Sequence, residues 1–426
     1  MYNQQTNPKE STREATANIV AQKMNTQKKG VGLVDNRFNI ISQKKIFQAA
    51  DNGSQVGQLE GFKRLENNTS QVHQLAAIQM LQSSTGVVQC LLRSNELTRR
   101  VRDVDGNPDN LFIFRIRQAL VRFHRLKKPW FFGKQAYADN AMAELDYMEH
   151  QAYNYLKVNK SQARNPGTEK RVIHELLDDI QEAHTETVEY IHANNLRLYI
   201  PDRAGMTQQQ STNLDNNWDA IRNGTGTITI DSLARSYGPG TSNVNLPDFA
   251  KNNRAMFARI MSRPNGRQLV GELLDNSDGN NIPIDIRAYH PDLVNMGFVG
   301  AEANPYDNNA LARIRGASKK FRRRGTGSGS LVGMQDGLQD SINVNQDASG
   351  DDLPSPAFIL VAHELIHALH NKQGNNRRNV KSQKYNAGAI HHGWTNQEEH
   401  TTIDMGQGIT ENDLREEHNL GRRHGH

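Results

Sequence analysis

The chain has 426 residues, with 51 Lys or Arg against 46 Asp or Glu, a formal net charge of +5 and a single cysteine, Cys90. That length has room for two or three domains with ample core, and a lone cysteine excludes an intramolecular disulfide. The charge balance is too even to argue for nucleic-acid binding and no apolar run approaches a membrane span, so a soluble protein without nucleic-acid or membrane partners is expected.

In chain order, residues 1–95 read as an N-terminal arm. To about Gly32 they are polar and expected to be disordered. A weak repeat follows, in which Asp51-Asn52-Gly53-Ser54-Gln55-Val56-Gly57-Gln58-Leu59 returns sixteen residues on as Asn67-Asn68-Thr69-Ser70-Gln71-Val72-His73-Gln74-Leu75. Ser or Thr beside a Gln-rich run suggests short capped helices in tandem. The start, Met1-Tyr2-Asn3-Gln4-Gln5, lacks the apolar core of a secretory signal, so export would need a specialised route.

Residues 96–225 carry a helical pattern, with apolar residues at three- and four-residue spacing from Ala141 to Val158 and from Glu169 to Asn194. His174-Glu175-Leu176-Leu177-Asp178 has half of a zinc motif but Asp in the fifth position, and reads as an ordinary amphipathic helix. Trp130-Phe131-Phe132 reads as a packing anchor rather than a ligand cage.

Residues 226–426 mix strand and helix signals. Runs rich in β-branched residues predict strands at Thr227–Ile230, Ile282–Ile286, Ser330–Val332 and Ile342–Val344. Gly238-Pro239-Gly240 and the glycines from Gly325 to Gly329 mark turns. The basic run Lys319-Lys320-Phe321-Arg322-Arg323-Arg324 is expected in an exposed loop, with docking of an acidic substrate segment as its alternative use. This part is therefore expected to be α+β, a small antiparallel sheet leading into a helix. The strand around Ser328 to Val332 is the expected edge on which extended substrate pairs.

That helix is the most informative stretch. Ser355 can cap its free amides, Pro356 fits the first turn, Ala357 to Ala362 are apolar all round, and Gly374 offers a stop. Within it, His363-Glu364-Leu365-Ile366-His367 sets two imidazoles four residues apart on one face, able to reach a single metal, with Glu364 placed to hold a water. A polar set emerging from a buried helix is costly unless something such as a metal satisfies it.

A hydrolytic zinc needs a third protein ligand and one open position. The extended pattern HExxHxxGxxH is excluded, because its last two positions here are His370 and Gln373. His370 reads as a residue lining the cleft or supporting a ligand. From Asn371 to Gln397 there is no Asp or Glu, and the first carboxylates after the motif are Glu398 and Glu399. Thr395 with Glu398 forms a capping box, which gives Glu398 a structural task and leaves Glu399 free to face a partner. Glu399 is thus preferred as third ligand, with Glu398, His391 and His392 as alternatives. Asp404 reads as an acceptor for a histidine N–H.

The run His363 to His370, the segment Thr395-Asn396-Gln397-Glu398-Glu399 with Thr402-Ile403, and Thr410 to Arg415 through Gly421 and Arg422 resemble bacterial zinc metalloprotease effectors injected into host cells, the NleD-like family. Leu269 to Leu274, Ile282 to Ile286 and Gly325 to Ser330 resemble that family's lead-in, so the likeness covers roughly residues 250 to 425. The Glu-Glu pair also resembles clostridial neurotoxin light chains, where such a segment supplies the zinc-binding glutamate. Val34-Asp35-Asn36-Arg37, the repeat and Val87-Val88-Gln89 resemble leader regions of cargo carried by bacterial contractile injection systems.

These resemblances imply a zincin-like domain over 226–426 holding one Zn2+ per chain, and a carrier contact through residues 1–90. They imply a protein made in the bacterial cytoplasm, exported without a Sec signal, that cleaves a target-cell protein, with signalling kinases as the substrates indicated. The family's basic-plus-tyrosine tail is here Arg422-Arg423-His424-Gly425-His426, without a tyrosine.

The implied chemistry has Glu364 taking a proton from water and passing it to the leaving amine. A positive or donor group should face the oxyanion, for which Arg415 is the first candidate and Tyr385 the second. Arg415 could equally be a surface residue paired with Glu411. The competing readings are a non-catalytic binding module on a degenerate protease fold and a zinc hydrolase of non-peptide substrates. The intact Glu364 argues against the first.

Overall fold

The computed structural model describes residues 97–99, 111–129, 131–158, 166–234, 243–277, 281–291, 294, 300–311, 313–314, 322–340, 344–347, 352–378, 397–405 and 408–424. The chain divides into Met1–Ala77 and Ile78–His426, and every described residue falls in the second unit. The N-terminal repeat, Trp130, Gly238 to Gly240, Tyr385, His391, His392 and Thr395 lie outside the described residues.

The helices come first. α1 (Leu111–Arg125), α2 (Lys134–Val158) and α3 (Pro166–Ala193) run where apolar residues recur every three or four positions, and α4 (Gln208–Asn223) follows. Thr207 and Gln210 close a capping box at the start of α4, and Gly224 ends it in the left-handed region at φ 62°. In α3, Leu176 and Leu177 are buried, as an amphipathic helix requires.

The sheet is mixed, in a correction to the antiparallel expectation. β1 (Ile228–Asp231) pairs in parallel with β2 (Ile284–Ala288), and β2 in parallel with β4 (Ser330–Met334). β3 (Ala301–Pro305) pairs antiparallel with β4 and forms one edge, β1 the other, in the order β1-β2-β4-β3. Strand composition reveals a pleated, half-buried surface but not pairing sense, which depends on connections. Between β1 and β2 the chain crosses over through α5 (Pro247–Met261) and α6 (Pro264–Leu274), which permits the parallel pairing. The strand expected to form the edge, Ser330 onward, is therefore internal. The edge falls to β3, which its sequence did not announce.

The motif helix α7 (Ala357–Lys372) lies against the sheet and is buried along nearly its whole length. Ser355 does not cap it. The first amide, Ala357 N, donates to Asp340 Oδ1 at 2.9 Å, while Ser355 Oγ bonds Asn345 and Arg415. Asp340 is itself held in a buried cluster, with Arg259 Nη2 at 2.9 Å from its Oδ2 and also bonded to Glu149 of α2. The hydroxyl of Tyr153 lies 3.1 Å from both carboxylates. A buried guanidinium is tolerable only with such pairing, so the cluster fixes the helical layer to the start of α7.

The far end of α7 is fixed by backbone. Asn371, fully buried, donates to Ser330 Oγ at 2.9 Å, and its carbonyl accepts from Ser328 N at 3.0 Å. Gly374 turns away at φ 66°, and Gly325 N donates to its carbonyl at 2.8 Å. A Cβ on Gly325 would fall 1.9 Å from Asn309 O, so the glycine run is there to let two backbones touch.

Candidate metal centre

Two imidazoles one helical turn apart, on a helix buried along nearly its whole length, point into the interior. The Nε2 atoms of His363 and His367 are 3.0 Å apart, and both side chains are almost wholly buried. The third group comes from α8 (Gln397–His400), which leads into a π-helical turn over Thr401–Met405. Glu399 Oε2 lies 3.3 Å from His363 Nε2, and its Oε1 lies 3.3 Å from His367 Nε2. The three side chains offer donor atoms mutually within 4.8 Å. Two nitrogens and a carboxylate converging on one point are the ligand chemistry that zinc accepts, so these residues fit a metal.

Glu398 takes a different place. Its Oε1 lies 3.1 Å from His367 Nδ1 and 2.6 Å from His370 Nδ1, and its Oε2 accepts from Arg377 N at 2.6 Å. Thr402 Oγ1 is a further 3.2 Å neighbour of His367 Nδ1. His363 has an equivalent support that the sequence reading did not single out, since its Nδ1 lies 2.8 Å from Glu411 Oε2. Both histidines are thus held through Nδ1 by carboxylates while Nε2 faces the cleft, which fixes tautomer and ring orientation. In the sequence Glu411 stood out only as part of the Thr410 to Arg415 segment and as a possible partner of Arg415.

Electrostatics follow the geometry. Burial opposes charging of His363, but its bonds to Glu399 and Glu411 outweigh that and push the imidazole up to about 9. His367 is likewise raised, against burial, by Glu398 and Glu399. Burial would raise all three glutamates, yet Glu398, Glu399 and Glu411 are held well below the usual carboxylate range by the imidazoles and, for Glu411, first by Arg423. A metal captured here must displace protons from the imidazoles.

Glu364 faces the edge strand. Its Oε2 accepts from Ala303 N at 2.7 Å, and burial pushes its pKa up. Tyr306 N bonds Gly329 O and Gln335 N bonds Gly300 O, so the even-numbered peptide groups face β4 and those of Ala303 face the side of β3 on which no strand pairs among the described residues. Arg378 Nη2 donates to Ala303 O at 3.3 Å.

Two sequence candidates lie elsewhere. Arg415, on α9 (Glu411–Glu417), is fully buried and donates to Pro354 O at 2.6 Å, Gly421 O at 2.9 Å and Glu411 Oε1 at 3.3 Å. It is neither a surface residue nor a cleft residue, because its donors are spent on backbone carbonyls that tie the C-terminal turn to the segment before α7. Asp404 accepts from Asn412 and from Arg422.

These features define an α+β fold in which a central helix and a following glutamate gather a donor set that could hold a metal beside an edge strand of the sheet. Residues 241–425 match the family model Peptidase_M91, described as effector protein. No curated protein and no solved structure matches the chain significantly.

Proposed function

We propose that this protein is a zinc-dependent endopeptidase that acts as an injected bacterial effector and cleaves a protein of the target cell. The observation carrying this is the convergence of His363 Nε2, His367 Nε2 and the Glu399 carboxylate, with Glu364 beside the open strand edge. His363, His367 and Glu399 would hold one Zn2+, which when bound supplies the Lewis acidity that activates water near neutral pH.

The chain's own residues do the rest. An extended substrate would lie along β3 and use the outward peptide groups of Ala303, replacing its present bonds to Glu364 and Arg378. Glu364, released from Ala303 N, would accept the proton of the attacking water and deliver it to the leaving amine. Glu398, Thr402 and Glu411 keep the two imidazoles aligned.

Residues 226–426 would be the catalytic domain, 96–225 its helical neighbour, and 1–90 the segment that engages an injection-system carrier. The match to effector proteins supports delivery; the carrier contact rests on sequence words alone. The deciding experiment treats target-cell lysate with wild type and with Glu364→Gln, and maps new N-termini by proteomics. Wild type should bind about one zinc per chain and generate a discrete set of termini. Glu364→Gln should keep the zinc and generate none; retained cleavage would sink the reading.

A further inference from the structure

Between Leu111 and Ala138 the chain carries seven Arg or Lys and no Asp or Glu. This stretch forms α1, the turn after it and the start of α2. At the turn, Phe132 is 92% and Phe131 73% exposed, against the expectation that this aromatic cluster is a packing anchor. Gly133, at φ 79°, closes the turn behind them with nothing within 4 Å of a Cβ. On α1, Leu111, Phe114 and Val121 are about half exposed, at helical spacing on the face opposite buried Ile113, Ile116 and Leu120.

We infer that this turn docks the protein on an anionic lipid surface, with Phe131 and Phe132 entering the interfacial layer and the flanking cations meeting lipid phosphates. Aromatic side chains favour the boundary between headgroups and acyl chains, and clustered Lys and Arg beside them are drawn to anionic lipid. The cations stand where that needs them. Lys134 Nζ donates to the neutral Asn194 at 2.7 Å, and Lys128 Nζ sits 4.7 Å above the ring of Tyr190. These contacts hold both ammonium groups beside the tip, Lys134 on a neutral partner. Arg197 is brought to the same place by its backbone, which exchanges hydrogen bonds with the side chain of Gln135. Arg122 is drawn away from such a role by its pair with Glu144.

Asp139 stands near the start of α2, 2.9 Å from Gln135 Nε2, while a larger group of carboxylates lies farther back. Glu175, Asp178, Asp179 and Glu182 line a groove with Asp248, farther back along α3 than the tip contacts at Tyr190 and Asn194. From Glu182 to Tyr190 is eight residues, roughly 12 Å of helix. The tip is therefore cationic and aromatic together, whereas a protein-docking patch would have an apolar centre depleted of charge. No helix among the described residues is long and apolar enough to cross a membrane, so the contact would be peripheral.

Vesicle flotation of the full chain tests this, independently of any protease activity. Wild type should float with phosphatidylcholine/phosphatidylserine vesicles, fail to float with phosphatidylcholine alone, and be released by added salt. The variant Phe131→Ser/Phe132→Ser and, separately, Lys127→Glu/Lys128→Glu should each bind roughly tenfold weaker or less, with unchanged circular dichroism. The proposal is overturned if wild type floats with neither vesicle, or if both variants float like wild type. It is equally overturned if wild type ignores vesicles but self-associates in a way the Phe variant abolishes, since the face would then cover a second copy of the chain.

Discussion

Glu411 Oε2 lies 2.8 Å from His363 Nδ1, and the same oxygen lies 2.8 Å from Arg423 Nη1. One carboxylate, drawn from the last helix of the chain, thereby orients a proposed ligand 48 positions earlier and holds a cation beside it. Removing such a support costs on the order of 10–100-fold in metal affinity. Glu411→Gln should show that loss in chelator competition, with His363 intact. Unchanged affinity would mean the Nδ1 bond does not position the imidazole.

Glu399 and Glu398 are adjacent but sit on opposite nitrogens of His367, at Nε2 and Nδ1. Glu399→Ala should lose zinc on dialysis, since a proposed direct ligand goes. Glu398→Ala should retain it with affinity lower by about 10–100-fold. The reverse order in zinc content per chain would exchange their assignments.

Ala303 presents its N–H to the open edge rather than to β4, so a proline there breaks no sheet hydrogen bond. Ala303→Pro should fold and bind zinc like wild type but lose substrate pairing. We expect KM for a peptide substrate to rise by about tenfold, from one lost main-chain hydrogen bond of about 1 kcal/mol or slightly more. An unaltered KM would place the substrate off this strand.

Arg415 is a structural residue by its contacts. Arg415→Ala leaves Glu411 and two carbonyls short of a buried partner, a loss of roughly 3–5 kcal/mol by analogy with other buried pairs. Thermal melting should fall sharply. A large drop in kcat with an unchanged melting temperature would restore it to an oxyanion role.

His418 packs its ring 4.6 Å from that of Phe358 and is buried, and burial pushes its pKa down to about 3. The unfolded imidazole takes its proton near 6.5, so below that pH the unfolded chain binds more protons and stability falls as pH drops towards 3. At about pH 5 this single group costs roughly 2 kcal/mol relative to neutral pH. His418→Leu should flatten that part of the stability curve in denaturant titrations. An equally steep curve would place the acid sensitivity in other groups.

By itself the sequence determined what short-range physics determines. The spacing of His363 and His367, the apolar run before them and the stop at Gly374 make a buried helix with two imidazoles on one face, whatever surrounds it. The absence of carboxylates between Asn371 and Gln397 narrowed the third group to a pair. Periodicity similarly marked α2 and α3, and β-branched runs marked β1, β2 and β4.

Tertiary structure decided everything that depends on which distant groups meet. The amide of Ala357 is capped from Asp340 rather than from Ser355, because a buried Arg259 carries that carboxylate to the helix start. The edge beside Glu364 is β3, because crossover connections, not strand composition, set which strand lies outermost. Arg415 turned inward because the carbonyls of Pro354 and Gly421 needed donors, and Glu411 became the support of His363 because α9 packs against α7. Neighbouring residues fix helices and strands; burial and charge pairing between segments far apart in the chain fix what those elements can do.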